Sequence, residues 1–417
     1  RGWFAENRNT ILISGRHIGG IMATGEGASA PVGHAGRAQG YTLVAISTLP
    51  TLAIAALVSV LPALFQRFGS DPQGQWLVPM ILTMPSLCVA LFSSPIGAIA
   101  DFWGRRRLLL VALVAFALFG LAPFLVDSLG AIIASRAVVG LAEAAILTTL
   151  NALVGDYFPG SERQRWLAAQ SIAGPIVAWF YVLAGGYLGD WSWRGPFLLY
   201  LLGLAALVPA AWTLYEPLKR ADLGVAEAST RFPWRAAALV SAVTLLLSIV
   251  FFVQNVQHGR IFGDLGADTP KHISWAIGVA GTGTLVGGLV YRQVRGKSIG
   301  WLLTLIFACY GIGYIGVAYS PDYRIGIPFD ALAQFAGGFT VPSLILWALS
   351  KYDLAHRGRG MGLWAACFFL GQFLSPPVVT LIGHDRWSFL ATVGVIGGAC
   401  LAAAVASAWL GRRSPPL

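Results

Sequence analysis

The sequence predicts an all-α membrane protein, with twelve transmembrane helices in two six-helix bundles. Three observations predict it. Of 417 residues, 56% are hydrophobic and only 11% charged, with a mean hydropathy of +0.70; a soluble domain needs about 25% charged residues to cover its surface. The apolar residues gather into twelve runs, each long enough to cross about 30 Å of hydrocarbon as a helix. One long polar stretch separates the sixth run from the seventh. Soluble enzymes, nucleic-acid binders, disordered chains and disulfide scaffolds are excluded by composition. The runs are too long for β-barrel strands and lack their period-two alternation.

In chain order the runs fall near 41–66, 76–100, 107–126, 131–156, 166–189, 195–215, 237–258, 272–291, 299–319, 326–349, 359–383 and 387–410. The organisation follows from them. Residues 1–40 form an N-terminal cytoplasmic segment with scattered charge and many glycines, expected to be flexible. Within it the chain opens on Arg1, and Met22 followed by ATGEGASAP reads as the expected start, with 1–21 as upstream sequence. Residues 41–215 are the first bundle, 216–236 (EPLKRADLGVAEASTRFPWRA) a central cytoplasmic loop, 237–410 the second bundle and 411–417 a tail. A six-plus-six layout suggests a duplicated half.

Basic residues set the orientation. With the N-terminus inside, cytoplasmic segments hold 21 of the 28 Lys and Arg, periplasmic segments hold six, and Arg136 falls within a run. That bias places both termini in the cytoplasm of a multi-pass protein of the inner or plasma membrane. The net charge of +10 is then a topology signal and an attraction to anionic lipid, not a nucleic-acid footprint. Cys88, Cys309, Cys367 and Cys400 all lie in apolar runs without CxxC spacing, so they read as packing residues rather than metal ligands or disulfides.

Between spans two and three the sequence runs Gly97-Ala98-Ile99-Ala100-Asp101-Phe102-Trp103-Gly104-Arg105-Arg106-Arg107. A short turn there favours small residues at Gly97 and Gly104, and an acid beside arginines at a helix boundary is a natural ion-pair site. The segment resembles the major facilitator superfamily signature G-x-L-A-D-x-x-G-R-R/K, matching at Gly97, Ala100, Asp101, Gly104, Arg105 and Arg106, with Ile99 in place of Leu. The resemblance implies a cytoplasmic latch between the two halves, and a gating role for Asp101 and Arg105. A basic topogenic loop is the plain alternative. An echo follows 190 residues later, where Gly287, Arg295 and Lys297 match and Tyr291 replaces the acid. Gly185-Gly186-Tyr187-Leu188-Gly189-Asp190 with Trp193, Arg194 and Phe197, and Glu216-Pro217 after span six, are also similar to family patterns.

Span four carries two charges, Arg136 and Glu143. Each costs roughly 2.5–3.5 kcal/mol at the centre of a span, so both are expected to face a cavity or a partner. Seven residues apart, they return to one helix face within about 20°, roughly 10 Å apart along the axis. Glu143 sits near mid-membrane and could load and release a proton as its exposure changes; Arg136 could hold a carboxylate bidentately. The pattern R-x-x-x-G-x-x-E-A resembles that of the organic anion symporter and spinster-like branches, which implies substrate binding by Arg136 and proton coupling by Glu143. An internal ion pair that only fixes packing is the alternative. Span one offers no charge, only Ser47, Thr48, Thr51 and Ser59 with the kink residues Pro50 and Pro62.

Asp330, with Gln334 one turn on, reads as a second proton site or an interfacial acid. Gln254, Asn255, Gln257 and His258 close span seven; some should line the cavity, or else form a solvated helix end. Gln372 is a further cavity residue, and Trp179, Tyr181 and Trp364 are candidate aromatic walls. Gly174-Pro175 marks a bend, but lacks the two further glycines of the G-P-x-x-G-G motif in drug-proton antiporters. No nucleotide, metal or catalytic motif appears, so no enzyme and no cofactor is expected. The sequence therefore predicts a monomeric secondary active transporter in the lipid bilayer, moving a small organic solute, an anion if Arg136 binds it, with protons by alternating access. Proton-coupled efflux of drugs or toxic metabolites is the runner-up, and a membrane sensor the third reading.

Overall fold

The computed structural model describes residues 35–70, 73–217, 232–294, 296–353, 356–383 and 386–411. Most of residues 1–40, most of the central loop, the tail beyond Gly411, and Arg295 of the motif echo lie outside the described residues. Among the described residues, twelve helices are long and apolar enough to cross a membrane. They are α1 (Arg37–Phe68), α2 (Gly74–Trp103), α3 (Arg105–Phe124), α4 (Leu129–Tyr157), α5 (Gly160–Trp191) and α6 (Gly195–Thr213). The second half holds α7 (Trp234–Asp264), α8 (Pro270–Val294), α9 (Ile299–Ala318), α10 (Tyr323–Ser350), α11 (Arg357–Gly383) and α12 (Phe389–Trp409).

Packing repeats with a period of six helices. In the first half α2 packs on α4, α1 on α5, and α3 on both α4 and α6; the second half repeats this as α8 on α10, α7 on α11, and α9 on α10 and α12. The halves meet through α2 against α11 and α5 against α8, a reciprocal pair under the same six-helix shift. This is the arrangement expected of a duplicated bundle.

Local chemistry shapes individual helices. Proline removes a helical donor and crowds the preceding turn, and α1 breaks into three α segments joined by a 3₁₀ turn near Pro50 and Pro62. The largest departure from the apolar runs is at α7, which continues six residues past 258 to Asp264. Its last two turns are polar in sequence, yet Gln254, Gln257 and His258 are buried. They face protein, not lipid, so hydropathy alone underestimates the span.

The two ends of the molecule differ. At the end opposite Arg37 and Trp409, α5 and α8 touch closely: a Cβ added to Gly186 would meet Ser274 Oγ at 2.1 Å. On α7, a Cβ on Gly259 would meet the Val58 carbonyl oxygen of α1 at 1.9 Å. Nearer the terminal end, Gly174 on α5 and Gly281 and Gly288 on α8 have nothing within 4 Å. The halves are therefore clamped at one end and parted at the other.

Candidate functional site

A cavity of about 520 Å³ lies between the halves, lined from α1, α2, α4, α5, α7, α8, α10 and α11. Its wall is mainly apolar and aromatic. Trp179, Phe251, Phe252, Phe368 and Phe369 contribute rings, and Phe251, Phe252 and Phe368 pack on one another at centroid distances of 4.7–5.9 Å. Behind them Trp364 stacks on Phe368 at 5.4 Å. Trp179 donates from Nε1 to the Gly278 carbonyl of the other half at 3.2 Å. Of the aromatic candidates, Trp179 faces the cavity, whereas the hydroxyl of Tyr181 is tied to Thr48 at 3.0 Å. The doublets Phe251-Phe252 and Phe368-Phe369 were the overlooked sequence signal; adjacent helix positions differ by about 100°, and here both rings of each doublet reach the wall.

Among the described residues, Glu143 is the one Asp, Glu, Lys or Arg on the cavity wall. It is 5% exposed, and its Oε1 has no hydrogen-bond partner. Gly140, one turn earlier, lets α4 approach α2: a Cβ there would stand 2.5 Å from Pro85 Cα. The glycine of the span-four pattern thus brings the Glu143 turn against α2, its neighbour in the same half.

Arg136 is placed elsewhere. It is fully buried and does not line the cavity. Its Nη2 donates to the carbonyls of Phe119 and Gly120 at 2.8 and 2.9 Å, where α3 ends. Its guanidinium lies over Phe197 and Tyr200, 5.1 and 4.8 Å from the ring centroids. Helix-end carbonyls carry partial negative charge and aromatic faces attract cations, so this pocket holds the arginine without a carboxylate. Among the described residues it forms no ion pair with Glu143.

The second half brings its polar residues together. Asn255, His258, Gln334 and Gln372 line the cavity, whereas Gln254 and Asp330 stand behind the wall. The Asn255 amide donates to its own helix at Phe251 O, 2.8 Å away. Gln254 Nε2 donates to Asp330 Oδ1 at 2.6 Å and to its carbonyl at 2.9 Å. His258 Nε2 lies 3.1 Å from Asp330 Oδ2. Asp330 is only 1% exposed, so the interfacial-acid reading gives way to a buried one: its helix face packs on α7.

The motif between α2 and α3 forms a brace. Asp101 Oδ1 accepts from Arg105 Nη2 at 2.8 Å, and Asp156 Oδ2 from Arg105 Nη1 at 2.5 Å. Glu216 accepts from the backbone N–H of Arg105 and Arg106 at 2.6 and 3.1 Å, capping α3. Gly104 has φ of +106° beneath that carboxylate, a conformation open to glycine. Arg106 Nη2 donates to Ala211 O at 2.7 Å, and Gly97 faces Thr148 at 3.5 Å. All these partners lie in the first half or, for Glu216, on the residue that directly follows it. The expected latch between halves is, in this conformation, a brace within one half, because the terminal end is parted. Asp156 and Glu216, distant in sequence, went unrecognised as its partners.

At the clamped end a second cavity of about 490 Å³ is bounded by Ser59, Phe65, Gln66, Arg260, Asp264 and Asp268. Arg260 lies between the rings of Phe65 and Phe389, at 4.9 and 4.2 Å. A hydrogen bond with His272 at 2.7 Å holds the Asp268 carboxyl below the usual carboxylate range.

Comparison with known proteins supplies the context. A family model described as the Major Facilitator Superfamily matches residues 43–256. The chain is 25% identical over 395 residues to the class C tetracycline resistance protein of Escherichia coli, covering 87% of this chain and 95% of that protein. It is 26% identical over 271 residues to the multidrug efflux pump LfrA of Mycolicibacterium smegmatis, covering 62% of this chain and 48% of that one. A bacterial homologue of the human lysosomal transporter Spinster, solved in an inward-facing and occupied conformation, superposes with a TM-score of 0.71 at 15% identity, over 90% of this chain and 96% of that one.

Proposed function

The chain belongs to the Major Facilitator Superfamily, and from that premise we propose that it exchanges protons for an apolar, aromatic or weakly cationic solute. As a family member it is a multi-pass membrane transporter of small molecules and not an enzyme. The carrying observation for the finer reading is the charge of the cavity. Glu143 is its one permanent candidate for an ion pair with solute, set among five aromatic side chains. Arg136, which would have favoured an anion, is sealed behind the wall, with its Nη2 on two carbonyls, its guanidinium over two rings, and its Nε and Nη1 without hydrogen-bond partners. The efflux alternative is favoured accordingly. The relatives named for tetracycline resistance and multidrug efflux are consistent with it.

The mechanism follows from competition for one carboxylate. Ionised Glu143 attracts a cation, and flat rings supply cation–π and stacking contacts of about 0.5–2 kcal/mol each. A proton on Glu143 cancels that attraction and releases the solute. With both termini cytoplasmic, the parted end faces the cytoplasm and the clamped end faces outward. Solute binds from inside, the halves rock, and a proton from outside displaces it. No second macromolecular partner is needed.

The test uses proteoliposomes loaded with a pH-sensitive dye. A planar lipophilic cation should evoke proton movement in the wild type and none with Glu143→Gln. Proton movement evoked by organic acids instead, or movement by the cation that survives the substitution, would overturn the reading.

A further inference from the structure

We infer that His258 and Asp330 form a second proton-binding site, holding one proton between them, that sets whether the clamped end stays shut. The inference rests on the transport reading above but not on Glu143. His258 Nε2 has two neighbours, Asp330 Oδ2 at 3.1 Å and Gln334 Nε2 at 3.4 Å. Gln334 turns its amide nitrogen toward His258 while its Oε1 accepts from Thr284 Oγ1 at 2.9 Å. A protonated Nε2 is held beside Asp330 by charge: Oδ2 is 3.1 Å away and has no hydrogen-bond partner of its own. A bare Nε2 accepts from the Gln334 amide.

Charge gives the two states different costs. With one proton the pair is neutral overall, as imidazolium with carboxylate or as imidazole with carboxylic acid. Without it, a net negative charge remains on side chains that are 2% and 1% exposed. Burying an uncompensated charge costs several kcal/mol. Among the described residues no lysine or arginine pairs with Asp330. Gln254 supplies one neutral donor to Oδ1. The other ionisable groups facing the pair do not neutralise it. Tyr314 on α9 donates its hydroxyl to Val250 O at 2.6 Å, with Tyr310 and Cys400 behind it. Arg260 and Asp264, further along α7, are directed at the second cavity, and Glu143 stands on the far wall of the first.

The same turn of α7 makes the clamp. Gly259, next to His258, packs on Val58 O; Arg260 lies over Phe65; and a Cβ on Gly263 would meet Pro62 Cγ at 3.0 Å. Proton loss to water in the central cavity, which His258 lines, leaves the pair charged. The charge is relieved when α7 lifts from α1 and water enters from the clamped side. Proton binding restores neutrality and lets the contact re-form. The site therefore passes one proton inward for each closure.

Double electron–electron resonance between labels at Leu125→Cys and Tyr319→Cys tests this, with the four native cysteines replaced. Both positions are highly exposed at the clamped end, one on each half. In the wild type, raising the pH from 5 to 9 should increase the ratio of long to short distances about tenfold or more, the equivalent of 1.4 kcal/mol. Asp330→Asn and His258→Gln should each abolish that response, Asp330→Asn holding the short distance throughout. Asp330→Glu should restore it, which separates loss of the proton site from misfolding. Glu143→Gln should keep the response, so failure of the Glu143 assignment and failure of this one read out separately. A wild-type response that survives Asp330→Asn or His258→Gln, or a wild type with no response, would overturn the inference.

Discussion

Arg136 and Glu143 stand seven residues apart on α4, yet Glu143 opens on the central cavity and Arg136 is sealed behind it against the end of α3. The two charges of one helix therefore have separate tasks, one facing solute and one holding three helices together.

Removing the arginine should be a structural lesion. Arg136→Ala removes the side-chain donor from the carbonyls of Phe119, which keeps the Ala122 N–H, and Gly120, at a cost of about 1–3 kcal/mol, and opens a void beneath Tyr200. Arg136→Lys keeps the charge but not the flat fork that spans both carbonyls and stacks on the rings, so it should lie between. Thermal unfolding of purified protein measures the order wild type, Lys, Ala. Solute selectivity of the folded fraction should be unchanged; a selectivity switch toward anions or away from them would contradict this placement.

Glu143 should make cation binding pH-dependent with a definite sign. Only the carboxylate attracts the cation, so affinity should rise with pH through the titration of Glu143 and then level off. Fluorescence titration of an aromatic cation against pH measures it. Glu143→Gln should bind with one weaker affinity at every pH, and a slope retained by that variant would place the titrating group elsewhere.

The clamp should be sensitive to a single methyl group. Gly259→Ala places a Cβ 1.9 Å from the Val58 carbonyl, and overpacking of this kind costs about 1–3 kcal/mol. The shut population should fall by roughly ten- to a hundredfold. Labelling of Ser59→Cys, a fully buried position on the second cavity, by an impermeant maleimide should speed up in proportion. Gly174→Ala, with open space around it, should leave the rate unchanged.

The brace should matter through Glu216. Glu216→Ala uncaps the first turn of α3, where two backbone donors now meet a carboxylate, and should cost about 1–2 kcal/mol. Gly104→Ala forces a side chain into φ of +106° at 2.9 Å from that carboxylate and should lower the melting temperature at least as far. Equal stability of Gly104→Ala and wild type would show that the turn relaxes freely.

Asp268 lies in the connection after α7, and its hydrogen bond to His272 holds its carboxyl below the ordinary range. A lowered acid contributes stability above its unfolded titration range and loses it as pH falls through the folded value. Asp268→Asn should therefore flatten the acid limb of the melting curve while leaving the neutral limb in place.

The sequence by itself determined the twelve spans, the halving of the chain and the chemical identity of the buried polar residues. Those follow from one-dimensional quantities: the length of an apolar run against the thickness of hydrocarbon, and the cost of charge within it. The brace motif was legible as residues, but Asp156 and Glu216 were not legible as its partners, since nothing local links them to Arg105. Tertiary structure decided which way each charge faces. Helical periodicity put Arg136 and Glu143 on one face; only the neighbours of that face, α3 and α6 at one level and the cavity at another, gave them opposite roles. The six added residues of α7 and the meeting of His258 with Asp330 have the same cause. A polar side chain is expelled by lipid but accepted by another helix, and which of the two it meets depends on how the bundles pack.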